Sequence, residues 1–468
     1  MQLGQGYYKL LDPKYKYSRC YCTDEEIEIA ANVARFVDKE LMPERHNFEG
    51  GWHRDEKLAT ETRNKYYAEC VRMGLTKTSF PKKLGAELGY DTTGLGLSAI
   101  LRNMVYEELC RAEVGLAMEV MHIHWPVSFM IAAKRDDMLK EFGHQILGDE
   151  CWMACVAITE RAGGANLEDP AFDFRTIRTT LKFDGDDAIV NGVKIWPGTS
   201  GPPDRFVDQY LKGHLGYWTI VTRDPSKGSE AAGIVYVPPD AEGFSVSPPY
   251  QKMGLCWQDE NCELFYDNVR VPKRYVLDLD QPGLGGKIIK GYCIGLGRLG
   301  VSSRLVGMSE AVLKIALDWT GGRDIAGVPV RERSYFASIL GEMAKRIEVA
   351  RNYVLMCSWQ VARPEEYGTP DSPEMIAKFS AARSFAGNTC EFCCNRAMEM
   401  MGSYGYSYDY HVEKYMRDYK IIQMVLGGAQ RDILDIAQGL YGPFMWSGMD
   451  EWIKQGGLVT EGFDGPRY

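Results

Sequence analysis

Val412-Glu413-Lys414-Tyr415-Met416-Arg417-Asp418, then Tyr419 to Leu426, then Gly427-Gly428-Ala429-Gln430-Arg431-Asp432 is the stretch on which the reading of this chain turns. Met416, Ile421, Met424 and Val425 leave an apolar pattern of helical period. Gly427-Gly428 interrupts it, because glycine is costly inside a helix and admits backbone conformations other residues avoid. A second helical run follows through Ile433, Leu434 and Ile436. Helix, two-glycine elbow, helix would set Leu426 and Gln430 at an exposed junction. On spacing alone, an ordinary helix–loop–helix in a bundle fits equally well.

Working outward, the helical period holds back to about Gly286. Gly297, Gly300 and Gly307 make the first helix of this region glycine-rich, which implies close backbone approach to something. Residues 279–440 therefore read as a helical bundle and 441–468 as a tail. Residues 151–278 read as a β domain. Trp152–Thr159, Thr176–Phe183, Tyr217–Thr222, Gly233–Val237 and Cys262–Tyr266 are its strand candidates, and Asn191-Gly192 predicts a hairpin turn between Ala188–Val190 and Val193–Trp196. Residues 23–150 read as α-helical. Thr23 with Glu26 predicts a capping box, an apolar stripe follows from Ile27 to Leu41, and Pro43 is expected to end it. Further helices are expected around Lys57–Met73 and Leu97–Arg111, with Gly85–Gly96 as a loop. Residues 1–22 form an extension expected to pack on the body or on a neighbour.

The 468 residues carry 45% apolar and 25% charged side chains and a net charge of −10. That is an ordinary globular composition, and the acidic balance argues against nucleic acid as the main partner. No uninterrupted apolar run reaches the length of a membrane span, and the first residues lack an apolar signal core. A cytoplasmic location is the expectation. The thirteen cysteines show no zinc spacing, so no metal is expected, and Cys390, Cys393 and Cys394 read as small buried apolar residues.

The opening stretch resembles the C-terminal signature of the acyl-CoA dehydrogenase family, in which a Val-Glu-Lys-x-Met-Arg-Asp run leads to a Tyr-Glu-Gly-Thr loop. Three more motifs follow the same resemblance. Thr159-Glu160-Arg161-Ala162-Gly163-Gly164 is similar to Thr-Glu-Pro-Gly-Ala-Gly. Lys194-Ile195-Trp196-Pro197-Gly198-Thr199 is similar to Lys-x-Trp-Ile-Thr-Asn. Lys252-Met253-Gly254 and Asn268-Val269-Arg270-Val271-Pro272 are similar to Lys-Met-Gly and Asp-Val-x-Val-Pro. Four motifs in order over about 24–440 are specific where one alone is weak. The resemblance implies an α+β chain: an N-terminal helical lobe, a middle β-barrel or sandwich, and a C-terminal four-helix bundle.

It also implies FAD, an acyl-CoA substrate, an electron-transfer flavoprotein as acceptor and a homo-oligomer, by family habit a tetramer. Carried over residue by residue, Thr159, Trp196 and, with one residue of slack, Thr199 would hold the flavin ring. Arg323 would meet the pyrophosphate of a neighbouring subunit's flavin, and Gln430 would lie near the same dinucleotide. Some positions depart from the family: Ala326 stands for a phenylalanine, Glu399 for a glutamine and Ala165 for a serine.

Taking hydrogen from the α and β carbons of a thioester needs a hydride acceptor, a base at the Cα proton, and donors for the thioester oxygen. The family's base is a glutamate, at the position of Leu426 in most members and of Gly297, before Arg298, in others. This chain has it at neither. Leu426 can still offer its N–H to the thioester oxygen. Glu119, His122 and His124, in Glu119-Val120-Met121-His122-Ile123-His124-Trp125, are the ionisable groups that the alignment brings to the acyl pocket. Read as an extended segment, it would point both histidines inward, with His124 preferred as base. Three readings follow: a dehydrogenase for a cyclic, branched or bulky acyl-CoA with a relocated base; a lyase or monooxygenase on the same fold; and a silent subunit of a mixed oligomer.

Overall fold

A computed structural model describes residues 8–94, 98–161 and 172–442. The Ala162–Ala165 part of the second motif and the tail beyond Gly442 lie outside the described residues. The longer helices are numbered α1–α10 and the strands of the main sheet β1–β7. The N-terminal lobe holds α1 (Asp24–Phe36), α2 (Glu56–Arg72), α3 (Ala99–Leu109), α4 (Val114–Ala132) and α5 (Asp136–Leu147). The capping box forms: Thr23 N–H donates to Glu26 Oε2 at 2.8 Å, and Glu26 N–H to Thr23 Oγ1 at 3.2 Å. Pro43 does not end this run. A π turn, Val37–Leu41, passes the chain on to Met42–Glu44, where Pro43 sits in a first turn that has no use for its missing N–H. The expected Gly85–Gly96 loop begins inside a short helix, Lys82–Glu87.

The middle layer is one mixed sheet of seven strands: β1 (Cys151–Ala157), β2 (Thr180–Asp184), β3 (Asp187–Ile195), β4 (Leu211–Thr222), β5 (Ala232–Val237), β6 (Phe244–Val246) and β7 (Glu263–Pro272). They run in the order β1-β4-β2-β3-β7-β6, with β5 on β4. The Asn191-Gly192 hairpin is corrected. β3 runs straight through these residues, and the turn is at Gly185-Asp186, between the paired Asp184 and Asp187. Gly192 instead marks a bulge against β7. A Cβ there would lie 2.6 Å from Thr179 Oγ1, so only glycine allows that approach.

The C-terminal bundle is α6 (Leu296–Gly321), α7 (Ser334–Val361), α8 (Pro373–Met401), α9 (Val412–Met424) and α10 (Gly428–Tyr441). A π segment, Ile289–Gly295, leads into α6. The glycines of α6 do mark close approach. A Cβ on Gly307 would stand 2.0 Å from Glu107 O, so α6 and α3 touch backbone to backbone there. Helix α4 is the one described helix long and apolar enough to cross a membrane, which no single apolar run of the sequence suggested. In the fold, 89% of its apolar window is buried, because it is the central helix of the N-terminal lobe. Cys390, Cys393 and Cys394 are buried in α8, and all thirteen thiols are free. The N-terminal segment packs on its own body: Tyr17 is buried and donates to Glu108 Oε1 at 2.7 Å.

Candidate active site

The elbow between α9 and α10 is a strained, clamped turn. Leu426 sits at φ 62, ψ 36, in the left-handed region that costs a branched residue about 1 kcal/mol or more. Two buried arginines hold it there. Arg298 Nε and Nη2 each donate to Leu426 O at 3.1 Å, while Nη1 reaches Asp435 at 2.5 Å and Ser380 Oγ at 3.0 Å. Arg383 donates to Val425 O, to Gly428 O at 2.9 Å and to Asp432. Charge-assisted bonds contribute about 1.5–3 kcal/mol each, enough to offset the strain. The Leu426 side chain then lies over Gly297. A Cβ on Gly297 would be 2.6 Å from Leu426 Cδ1 and 3.2 Å from Trp125 Cζ2. The two positions expected to share one function are neighbours, and apolar groups occupy both.

The segment 119–125 is helical, not extended, so residues two apart point to different sides. His124 turns to the helical lobe. Its Nε2–H donates to Leu75 O at 2.9 Å, so its Nδ1 accepts from Tyr106 OH at 2.6 Å. Both ring nitrogens are engaged, and burial lowers its pKa to about 3. The preference for His124 as base is therefore corrected. His122 turns to the β domain, with Nδ1 on Thr199 Oγ1 and the ring beside Gly198 and Asp259. Burial lowers its pKa to about 4. Pro126 lacks the N–H that would bond the His122 carbonyl within the helix. Glu119 shares the face of His122 but packs against Arg63, Nε to Oε1 3.6 Å, and its Oε2 has no partner. Burial raises it to about 8, so it is protonated at neutral pH.

The flavin-holding candidates separate into an open group and a closed one. Trp196 is 44% exposed at φ 62, with one indole face stacked on Tyr250 at 4.2 Å. Asn261 Nδ2 donates to Trp196 O at 3.0 Å, and Lys252 of the Lys-Met-Gly motif holds Asn261 Oδ1 at 2.7 Å. Thr159 follows β1, where its carbonyl accepts from Ile195 N at 2.8 Å, beside Trp196. Other residues of the same motifs are buried together: Lys194 Nζ lies 2.5 Å from Glu160 Oε1. The two motifs thus fix one strand junction. Thr199 is turned inward, with its hydroxyl on His122 and its carbonyl accepting from His214 Nε2 at 2.9 Å.

Gln430 is exposed in the first turn of α10, where free amides favour an anion. Arg323 is exposed, its guanidinium 4.9 Å from the Trp319 ring and 5.8 Å from that of Tyr404. Glu399 pairs with Arg396 at 2.5 Å, which offsets its charge. An indole with one open face suits a flavin ring, a helix N-terminus suits its pyrophosphate, and the exposed Arg323 suits the pyrophosphate of a neighbour's flavin.

Sequence reading missed the cavity beside Trp125. It measures about 20 Å³, room for one water, and Arg102, Tyr106, His124, Trp125, Tyr292 and Gly300 are among the residues lining it. Arg304, fully buried, lies against its Gly300 wall, with Nη1 3.5 Å from where a Gly300 Cβ would stand. The signal was present: Arg304 is the only charged residue between Leu299 and Ser309.

Two family models match the chain: the acyl-CoA dehydrogenase N-terminal domain over residues 23–141 and its C-terminal domain over residues 285–441. A probable acyl-CoA dehydrogenase of Mycobacterium leprae is 26% identical over 407 residues, covering 87% of this chain and 93% of its own. Among solved structures, butyryl-CoA dehydrogenase from Megasphaera elsdenii aligns with a TM-score of 0.71 at 22% identity, over 90% of this chain and 98% of its own. A nitroalkane oxidase aligns with a TM-score of 0.76 at 16% identity, over 93% and 99%. Those structural likenesses carry the fold, and the matched domains carry the family: the chain belongs to the acyl-CoA dehydrogenases, flavin oxidoreductases that use FAD.

Proposed function

We propose that this protein dehydrogenates an unusual acyl-CoA thioester with His122, rather than a glutamate, receiving the α-proton. The observation that carries this is the side-by-side placement of Leu426, Gly297 and Trp125, which leaves no carboxylate at either family position. Bound FAD supplies the hydride acceptor. The rest is this chain's work. Trp196 and Thr159 seat the flavin ring, and Gln430 and a neighbour's Arg323 hold its phosphates. The Leu426 N–H, on an elbow fixed by Arg298 and Arg383, serves the thioester oxygen, where charge develops.

Three observations support His122. It is neutral at pH 7, its Nε2 carries no hydrogen bond among the described residues, and Thr199 ties its ring to the loop that presents Trp196. Glu119 holds its proton, and His124 has no free lone pair. The apolar wall suits a cyclic, branched or bulky acyl group. Arg323, exposed on the single chain, supports a homo-oligomer that shares its flavin sites, by family habit a tetramer, with an electron-transfer flavoprotein as acceptor.

Anaerobic mixing with a panel of acyl-CoAs tests this reading, with flavin bleaching as readout. His122→Ala should slow bleaching by about 10²–10⁴-fold, with little change in substrate affinity. Bleaching at the wild-type rate removes His122 as base. The second reading, other flavin chemistry on this fold, draws support from the same missing carboxylate. It gains if oxygen consumption or bond cleavage is seen without any α,β-unsaturated product.

A further inference from the structure

We propose that the acyl group carries a second, free carboxylate, received by Arg102 in the cavity beside Trp125 and by Arg304 packed behind the Gly300 and Tyr106 wall of that cavity, so that the substrate is a dicarboxylic acyl-CoA. This deepens the acyl-CoA reading and rests on it.

Arg304 is 0% exposed and has no carboxylate within 4 Å among the described residues. Its Nε and Nη1 have no hydrogen-bond partner, and its Nη2 meets only Met121 Sδ, a weak acceptor. The ring of Tyr106, 4.5 Å away, covers one face of the guanidinium. Arg102 lines the same cavity and donates to Ser128 Oγ at 3.2 Å, again with no carboxylate in reach among the described residues. The other polar groups here add no negative charge. Burial raises the Tyr106 pKa, so its hydroxyl keeps its proton and gives it to His124, which is neutral. Asn103 is engaged by Ser358 and Ser303.

Arg102 therefore lines a small, mostly enclosed space and Arg304 lies behind its Gly300 and Tyr106 wall; neither has an ion-pair partner among the described residues, and Asp259 acts on Arg304 only from beyond ion-pair distance. A buried cation is very costly unless paired, and a bidentate guanidinium suits a carboxylate. Arginines elsewhere in this interior are ion-paired, Arg298, Arg351 and Arg383 included. Position sets the length of the ligand. Gly297, under Leu426, and Gly300, beside Arg304 Nη1, are three residues apart on α6, about 5 Å along its axis. A short carbon chain or a single ring spans that distance from the thioester end. Arg102 is half-buried and held by one neutral hydroxyl, so it is the side chain that moves to enlarge the cavity for the carboxylate.

The test titrates the FAD-loaded enzyme with glutaryl-, adipyl- and pimelyl-CoA and with pentanoyl-, hexanoyl- and heptanoyl-CoA, following the flavin spectrum for binding and bleaching. At the best chain length the dicarboxylic member should bind about 100-fold tighter than its neutral partner, and Arg304→Met should erase most of that preference. Thermal unfolding supplies a second readout: the dicarboxylic ligand should raise the Tm of the wild type more than that of Arg304→Met. If Arg304→Met does not fold, Arg102→Met takes its place. If both series bind with equal affinity, or the preference survives the arginine substitutions, this inference is wrong while the acyl-CoA reading stands. If neither series binds or bleaches the flavin, both fall together.

Discussion

Helices α3 and α6 carry two buried clusters of charge, and the two are built on opposite rules. In the first, Lys16, Arg111 and Arg351 meet Glu107, Glu108 and Glu310. Lys16 Nζ lies 2.7 Å from Glu108 and 2.8 Å from Glu310, Arg351 lies 2.7 Å from Glu107 and 2.5 Å from Glu310, and Arg111 lies 2.9 Å from Glu108. Three cations face three anions. Burial works against ionising Glu108, yet Lys16 and Arg111 outweigh it and hold its pKa down at about 2. In the second cluster, Arg304 stacks on Tyr106 while Arg102 lines the cavity with Tyr106, His124 and Trp125; neither arginine has an ion pair among the described residues, and Asp259 acts on Arg304 only from a distance. The first cluster joins the N-terminal segment, the helical lobe and the bundle. The second is completed only by something from outside. Where a fold balances its own buried charge, the cluster serves cohesion; where it leaves the charge open, it serves a ligand.

The comparison can be broken most forcefully at the balanced cluster. Arg351→Met leaves Glu107 and Glu310 short of a partner. It should cost about 3–5 kcal/mol in urea unfolding, and a loss under 1 kcal/mol would show that the network does not hold the fold. The matching change in the open cluster has the opposite sign. Arg304→Met removes an unpaired buried cation and should stabilise the ligand-free protein by about 1–3 kcal/mol. A clear loss of stability would mean that Arg304 is a structural residue.

The third test is pH. His122, His124 and His214 have folded pKa values of about 4, 3 and 4, below the 6.5 of an exposed histidine, chiefly through burial. Their contribution to stability is complete above about pH 6.5 and declines as pH falls toward 3–4, since the unfolded chain takes up protons first. The balanced cluster adds its own loss only lower, as pH drops from 4.5 through the folded pKa of Glu108. A Tm series from pH 7 to 4 should therefore fall gradually at first. A flat series down to pH 4.5 would rule out the neutral-histidine description.

What could be read from the residues was local or patterned. The Thr23–Glu26 cap, the glycines of α6, the buried cysteines of α8 and the elbow at Gly427-Gly428 each follow from what a side chain does to its own backbone. Asn191-Gly192 misled for the same reason. The dipeptide favours a turn, but β7 pairs on both sides of it, and the crowding of Thr179 made Gly192 a bulge. His124 misled because an assumed extended segment is a helix, which sends residues two apart to different partners.

The sequence by itself determined the family, the order of helical lobe, sheet and bundle, and the absence of a glutamate at Leu426 and Gly297, because periodicity, caps and motifs are written along the chain. Only the tertiary structure decided that those two positions touch and that His124 is held by Tyr106 and Leu75. It also decided that Lys16 balances Glu108 and Glu310 across about 90 and 290 residues of chain, whereas no ion pair among the described residues balances Arg304. The physical reason is that charge balance and lone-pair occupancy depend on distances of a few ångströms between side chains remote in sequence, and no local pattern encodes those.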